Sequence, residues 1–194
     1  MKHLASLAAL AFALAACGGE APAPADPAAP VPTVDQTPPP AAAPSSNTIT
    51  SQGWGPLTIG MTLAEVTAAA GPDSDPDSVG GADPESCDQF RPANAPEGVL
   101  VMMEQGKLTR ISLVEMSDID TDRGFGIGDT AASVKEAYGA SATVTPHKYQ
   151  DAPAEYITVW DGGPRSEPYV QDEAARGVVY EIDGTGNVGA IREL

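Results

Sequence analysis

The chain has 194 residues, and its 27 acidic side chains outnumber its 10 basic ones, giving a formal net charge of −17. This acidity excludes a protein that binds the phosphate backbone of nucleic acids, because such binding requires a basic surface. Two cysteines and two histidines are too few for a zinc cluster, and we expect no cofactor. The 19 prolines and 20 glycines predict a stretch without globular structure.

Residues 1–16 have the organisation of a secretory signal peptide. A basic start is followed by a run from Leu4 to Ala16 that is apolar except for Ser6. This run is too short for a membrane span of about 20 residues. We therefore expect export and removal of the segment.

The run ends in Leu14-Ala15-Ala16-Cys17-Gly18, which resembles the bacterial lipobox, where cleavage precedes a cysteine that receives a diacylglyceryl group. The resemblance implies acylation of Cys17 by fatty acids such as palmitate. Glycine rather than aspartate follows, which implies an outer-membrane anchor with the protein facing the periplasm. An ordinary secretory signal with an incidental cysteine is the alternative.

Residues 17–47 are predicted to be a disordered tether that starts at the lipidated cysteine. Between Glu20 and Asn47 the chain holds nine prolines and eight alanines, with no aromatic, Leu, Ile or Met. Such a segment buries too little apolar surface to offset its conformational entropy, and the Ala-Pro repeats favour extended polyproline II. We expect it to act as a spacer.

An internal repeat is predicted in the remaining chain, with units at 48–118 and 119–194. Ile59-Gly60-Met61-Thr62 and Ile127-Gly128-Asp129-Thr130 match at an offset of 68 residues. Thr62 and Thr130 are natural N-caps, and Glu65 would complete a capping box. Glycines at 71 and 139 fit helix ends. Each unit should therefore begin with a short helix.

Antiparallel strands should follow each helix. Glycine-containing turns separate Val99–Glu104 from Leu108–Val114, and Val178–Asp183 from Val188–Arg192, as in β-hairpins. Further strands are predicted at Ser86–Arg91, Ala142–Tyr149 and Glu155–Trp160, with a loop insertion at Asp161–Arg176. The predicted fold class is α+β, with two tandem units in which a helix covers one face of an antiparallel sheet.

The string Ile59-Gly60-Met61-Thr62, with Val66 and Gly71-Pro72 after it and a hairpin beyond, resembles the helix start of the BamE/SmpA outer-membrane lipoproteins. The tandem arrangement is similar to that of the beta-lactamase inhibitor protein. Segments 121–124, 145–149 and 177–191 are similar to a family of uncharacterised bacterial envelope proteins. These resemblances imply a binding role, but the contact residues of the inhibitors cannot be assigned to individual positions of this sequence.

Aspartate-rich turns are candidate calcium sites. Asp73, Asp75 and Asp77, and likewise Asp118, Asp120 and Asp122, are spaced as at the start of an EF-hand loop. Neither turn has the required glycine or flanking long helices. We interpret both as solvated acidic turns and predict no metal site, with weak calcium binding as the alternative.

Cys87 and His147 are the remaining candidates for chemistry. Once Cys17 is acylated, Cys87 is the lone thiol, which predicts a buried thiol or an intermolecular disulfide. His147 is expected to end a strand, and a Cys87–His147 nucleophile pair would require spatial adjacency. The sequence contains no Gly-x-Ser-x-Gly, Ser-x-x-Lys or His-Glu-x-x-His motif. We predict that the protein is not an enzyme.

Residues 155–160 carry the candidate binding residues. Strand alternation puts Ile157 and Val159 on one face, and Tyr156, Thr158 and Trp160 on the other. Tyrosine and tryptophan on an open sheet make good contact residues, although packing of this face is the alternative. We expect Tyr156 and Trp160 to bind a partner.

These observations predict a membrane-anchored, non-enzymatic envelope protein that acts as a protein–protein interaction module in scaffolding or assembly. The lipid provides the membrane contact, and the acidic body implies a partner protein with a basic rim. No small-molecule substrate is indicated. The alternative, from the fold resemblance, is an inhibitor of a periplasmic or secreted enzyme such as a hydrolase.

Overall fold

The fold is α+β, in a computed structural model that describes residues 47–76, 86–165, 172 and 174–194. These residues belong to one compact unit. The predicted signal peptide and Cys17 lie outside the described residues, as does the predicted tether except for Asn47. Among the described residues, no helix has the length and apolar character needed to cross a membrane.

Two short helices begin where the threonines predicted them. Helix α1 is Leu63–Ala70 and helix α2 is Ala131–Tyr138, followed by a 3₁₀ turn at Gly139–Ser141. The hydroxyl of Thr62 accepts a hydrogen bond from the Glu65 amide at 3.3 Å, and the Glu65 carboxylate accepts one from the Thr62 amide at 2.7 Å. This confirms the capping box. The bonds from Thr62 lower the pKa of Glu65.

Strands make up most of the regular structure. They are β1 Thr48–Thr50, β2 Gly53–Trp54, β3 Leu57–Thr58, β4 Cys87–Phe90, β5 Val99–Glu104, β6 Lys107–Leu113, β7 Asp120–Thr121, β8 Ala142–Pro146, β9 Glu155–Trp160, β10 Gly177–Ile182 and β11 Val188–Glu193. The two predicted hairpins, β5–β6 and β10–β11, are confirmed. The predicted insertion at 161–176 lies partly outside the described residues.

The larger strands form a single seven-stranded antiparallel sheet in the order β4-β5-β6-β11-β10-β9-β8. The expectation of a separate sheet for each half is wrong, because β6 and β11 pair. Three residue pairs make this junction: Leu113 with Ile191, Ser112 with Arg192, and Ile111 with Glu193. The last strands of the two hairpins therefore lie side by side.

A second, four-stranded sheet of order β3-β2-β1-β7 was not predicted. Three of its strands have only two residues, too few to produce an alternation signal. Strand β1 pairs in parallel with β7, with Ile49 opposite Thr121. The start of the folded body is thereby attached to the segment that precedes α2.

The core lies between the helices and one face of the large sheet. Its largest fully buried apolar side chains are Ile49, Leu57, Leu108, Ile111, Leu113, Ile119, Ile157, Tyr180, Ile182 and Ile191. Val66 of α1 and Val134 of α2 are fully buried in the same cluster. Glu193 is also fully buried, on the core face.

Each helix start is attached to a hairpin by the same kind of backbone contact. The amide of Gly60 donates to the carbonyl of Leu108 at 2.8 Å, and the amide of Gly128 donates to the carbonyl of Val188 at 2.8 Å. Both glycines have positive φ angles, 93° and 95°, which glycine adopts without steric cost. These contacts hold both helices against one face, so neither of the two helices in the described part of the chain covers the opposite face of the large sheet.

Candidate functional site

The candidate site is the face of the large sheet opposite the helices, here called the outer face. Pairing registers place on it the side chains of Gln89, Leu100, Met102, Arg110, Ser112, Tyr156, Thr158, Trp160, Val179, Glu181 and Arg192. Most of these side chains are partly buried, because they pack against one another along the sheet. Alternate residues in the same strands enter the core.

Strand β9 divides its side chains between the two faces as the alternation predicted. Ile157 is fully buried, and Val159 is partly buried against the core cluster. Tyr156 and Trp160 lie on the outer face, and both are partly buried. The prediction of which residues share a face is confirmed, whereas partner binding by Tyr156 and Trp160 stays a prediction.

Tyr156 and Trp160 have different surroundings. The Tyr156 ring stacks on the His147 imidazole, with ring centroids 4.6 Å apart. The Trp160 ring lies opposite Gly177, and a Cβ on that glycine would come within 2.9 Å of the indole. The Arg165 guanidinium lies 5.3 Å from the Trp160 ring centroid. The two aromatic residues are four positions apart on the strand, about 13 Å, so they lie at two separate places on the outer face.

A groove of about 790 Å³ opens on the outer face and includes Tyr156 but not Trp160. It is lined by Arg110, Thr145, Pro146, Lys148, Tyr149, Tyr156, Val179, Glu181, Arg192 and Leu194. Tyrosine rings and aliphatic side chains make parts of its lining apolar, while the arginines and Glu181 provide charge. Grooves of this size that combine apolar lining with a few polar groups are typical binding sites.

Glu181 is the centre of a polar network in the groove. Its carboxylate forms an ion pair with Arg192 and accepts a hydrogen bond from His147 Nε2 at 3.2 Å. His147 Nδ1 accepts from the Tyr149 amide at 3.1 Å. Both histidine contacts fit the neutral tautomer with hydrogen on Nε2. His147 is therefore buried in a structural role beside β8 and orients Tyr156 by stacking.

Arg110 lies one strand away from Arg192 on the same face. Its Nη2 donates to the amide oxygen of Gln89 at 3.0 Å, whereas its Nε is buried without a hydrogen-bonding partner among the described residues. Burial lowers the pKa of Arg110, and the negative charge of Glu104 partly offsets this shift. Burial also lowers the pKa of Arg192, and repulsion by Arg110 lowers it further. The groove therefore holds two like charges that are both partly removed from water.

The groove differs in charge from the rest of the body. Residues 48–194 carry 24 acidic and 9 basic side chains by count along the sequence. The groove lining has three basic side chains and one acidic side chain. A cationic groove in an acidic protein favours an anionic group in the groove and a basic surface around it.

The other sequence candidates do not assemble into a chemical site. Cys87 is a free thiol on β4, and His147 follows β8. These strands are the two edges of the seven-stranded sheet, so six strand spacings of about 4.8 Å separate them, roughly 29 Å. The two residues therefore form no nucleophile–base pair.

The aspartate-rich turns show no metal-binding geometry where the structure describes them. Among the described residues, no group of three or more His, Cys, Asp and Glu side chains is placed to hold a metal ion. This includes Asp118, Asp120 and Asp122. Asp73 and Asp75 are described, but Asp77 lies outside the described residues.

Sequence reasoning missed the charged residues of the groove. Arg110 and Ser112 alternate with the buried Ile111 and Leu113 on β6, so the alternation could have placed Arg110 on the outer face. The encounter of Arg110 with Arg192 depends on the pairing of β6 with β11. These strands come from different halves of the chain, and no local pattern specifies that pairing.

Comparison with known proteins found no family model, curated protein or solved structure that matches this chain. The resemblance to the BamE/SmpA lipoproteins and to the beta-lactamase inhibitor protein therefore depends on the sequence motifs and the predicted tandem arrangement alone.

Proposed function

We propose that the protein is a non-enzymatic, lipid-anchored envelope protein that binds another protein through its outer face. The observation that carries this proposal is a sheet face that no helix of the described residues covers, with a groove and two separate aromatic residues, Tyr156 and Trp160. Large aromatic side chains at the centre of an interface provide much of its binding free energy. The proposed role is scaffolding or assembly.

The lipobox-like sequence around Cys17 supports an anchor in the outer membrane, with the body facing the periplasm. Each buried CH₂ of an acyl chain contributes about 0.8 kcal/mol to membrane attachment, so several chains on one cysteine give a stable anchor. The proline-rich tether would then hold the body away from the membrane. In this arrangement the outer face can meet partners in the periplasm.

We also propose that the two helix–hairpin segments are tandem repeats, as in the folds that the motifs resemble. Supporting observations are the matched helix starts at Thr62 and Thr130 and their equivalent bridges, to Lys107 and Asn187. The helix starts differ by 68 positions and their bridge partners by 80, consistent with an insertion in the second segment. A rigid superposition of the two segments in an experimental structure would test this relationship.

Partner capture tests the proposed function. The full chain in detergent would be used to retain proteins from envelope extracts, beside the variants Tyr156→Ala and Trp160→Ala. Met116→Ala is the matched control, since Met116 is an exposed hydrophobic residue, 72% accessible, in a turn after β6. A true partner is retained by wild type and the control and is lost or reduced with both outer-face variants.

The identity of the captured protein distinguishes the two functional hypotheses, which are scaffolding or assembly and inhibition of an enzyme. Structural envelope proteins would favour scaffolding, whereas a single periplasmic hydrolase whose activity falls on binding would favour inhibition. Binding should weaken as salt is added, mainly through slower association, because the acidic body attracts a basic rim. Equal capture by wild type and the outer-face variants would contradict the proposal.

A further inference from the structure

We propose that the groove between Arg110 and Arg192 binds a carboxylate, provided by an acidic side chain of the protein partner. This inference rests on the proposed function, because it names the chemistry of the partner at that same face. It begins from the charges in the groove. Arg192 has an ion-pair partner in Glu181, but among the described residues no carboxylate forms an ion pair with Arg110.

The neutral contact made by Arg110 leaves its guanidinium without a directly paired carboxylate among the described residues. Gln89 accepts one hydrogen bond from its Nη2, and the buried Nε has no partner among the described residues. Unsatisfied buried donors are rare in folded proteins, and a partly desolvated charge is costly when it lacks a counter-charge. Glu104 is near enough to raise the pKa of Arg110, although its own carboxylate accepts a hydrogen bond from Thr109 at 2.6 Å.

One additional negative charge would be matched by the arginines of the groove. Two guanidinium groups face Glu181, the single acidic side chain of the lining, and Lys148 adds a third positive charge, so a monoanion placed near both arginines would neutralise part of the remaining charge. Guanidinium groups bind carboxylates through paired, charge-assisted hydrogen bonds. Tyr156 and Val179 provide apolar surface beside them, which suits the methylene groups of a glutamate side chain. Lys148 lies at the groove over the ring of Tyr149, 5.1 Å from its centroid.

This arrangement also explains how an acidic protein could recognise an acidic group. The surrounding body repels anions in general, so a carboxylate carried on an otherwise basic surface would be attracted to the face more strongly than a free carboxylate. The carboxylate then enters a groove whose local charge is positive. Such a combination of attraction in the groove and repulsion around it selects the partner.

The arginine Nε–H resonances of the full chain in detergent provide a direct test by NMR. The probe is acetyl-Gly-Glu-amide, which carries one carboxylate, and acetyl-Gly-Gln-amide is its neutral control. Loss of one resonance each in Arg110→Lys and Arg192→Lys assigns the signals. We expect saturable shifts of both resonances with the glutamate probe and no shifts with the glutamine probe. The Arg123 resonance should not shift, because this guanidinium lies over the ring of Tyr138 in α2.

Variant titrations complete the test. Arg110→Gln should weaken probe binding about tenfold or more, as loss of a charge-assisted hydrogen bond predicts, whereas Arg123→Gln should leave it unchanged. Absent shifts, equal shifts with both probes, or tighter binding of inorganic phosphate would overturn the inference. The inference would also be overturned if the chain's own acidic segment already occupied the groove. In that case the arginine resonances would shift when Glu20, Asp26 and Asp35 are replaced by glutamine or asparagine.

The two proposals fail separately in these experiments. Probe binding requires no partner, so a groove that binds the glutamate probe while no protein is captured would refute only the proposed function. If capture of a partner protein depends on Trp160 but the arginine resonances do not shift with the glutamate probe, only the carboxylate site is refuted.

Discussion

The phenol oxygens of Tyr138 and Tyr180 lie 2.8 Å apart and connect helix α2 to strand β10. The Tyr180 hydroxyl also donates to the hydroxyl of Thr121 on β7, at 3.1 Å. One fully buried hydroxyl thus joins α2, the large sheet and the small sheet. Burial raises the pKa values of both tyrosines, so they remain neutral hydrogen-bonding groups.

Tyr180→Phe should lower the free energy of unfolding by about 1–3 kcal/mol, because Thr121 and Tyr138 each lose a buried partner. Tyr138→Phe should cost less, since the bond from Tyr180 to Thr121 is retained. Chemical denaturation of the full chain measures both values. Tyr149→Phe is the control, because Tyr149 is 78% exposed; a Tyr180→Phe variant as stable as this control would refute the role of the hydroxyl.

The two faces of β9 predict opposite effects of truncation. Ile157→Ala leaves a cavity in the core and should destabilise the fold by about 2–5 kcal/mol. Trp160→Ala should cost less stability and should weaken partner binding by about 2 kcal/mol or more if Trp160 is a central contact. Thermal melts decide the stability comparison without a partner. If the Trp160→Ala variant unfolded while the Ile157→Ala variant stayed folded, Trp160 rather than Ile157 would be the core residue.

Glu193 should make the protein less stable as the pH rises. Burial raises the pKa of this carboxyl to about 8, although the charge of Arg176 opposes the shift. The folded state therefore holds the proton more tightly than the unfolded chain, in which the pKa of this carboxyl is near its ordinary value of 4.5. The resulting stability is fully present below pH 4.5 and is lost as the pH rises through 8, with a total on the order of 5 kcal/mol.

Glu193→Gln tests this assignment because glutamine cannot lose the proton. Urea unfolding measured at intervals between pH 4.5 and 9 should show a falling stability in wild type and a flatter curve in the variant. Glu136→Gln, at an exposed position on α2, should reproduce the wild-type curve. Parallel curves for wild type and Glu193→Gln would place the titrating group elsewhere.

Cys17→Ser should abolish lipid attachment. The substitution removes the thiol that the lipobox-like sequence marks for acylation, so the chain should remain unprocessed or be released to the soluble periplasm. Metabolic labelling with a fatty-acid probe measures the outcome, and Cys87→Ser is the control. Equal labelling of wild type and Cys17→Ser would show that the segment is an ordinary signal.

Local elements of the fold could be predicted because their signals lie within a few residues. Thr62 and Glu65 predicted the start of α1, and the alternation in β9 predicted the burial of Ile157. Glycine-containing turns predicted both hairpins. The small sheet could not be predicted in this way, since the pairing of Ile49 with Thr121 joins residues far apart in sequence.

The groove illustrates the same limit for the candidate site. Tyr156 was predicted from its strand, but the network of Glu181, Arg192 and His147 requires the pairing of β10 with β9 and β11 together with the return of the chain after β8. Arg110 joins it only through the contact between the two halves. Alternation along a strand predicts the face on which a charged side chain lies. Its neighbours in adjacent strands depend on the pairing register of those strands.

The junction of β6 with β11 has a consequence for the independence of the two halves. Three residue pairs join them, and each strand satisfies backbone groups that the other would leave open. Removal of either half would turn a central strand into a sheet edge that carries Ile111 and Leu113, or Ile191. Unprotected edges of this kind pair with other chains. A truncated half is therefore expected to self-associate or exchange strands with another copy. Because β6 and β11 each protect the edge of the other, neither half can be removed without exposing a strand that is prone to pair.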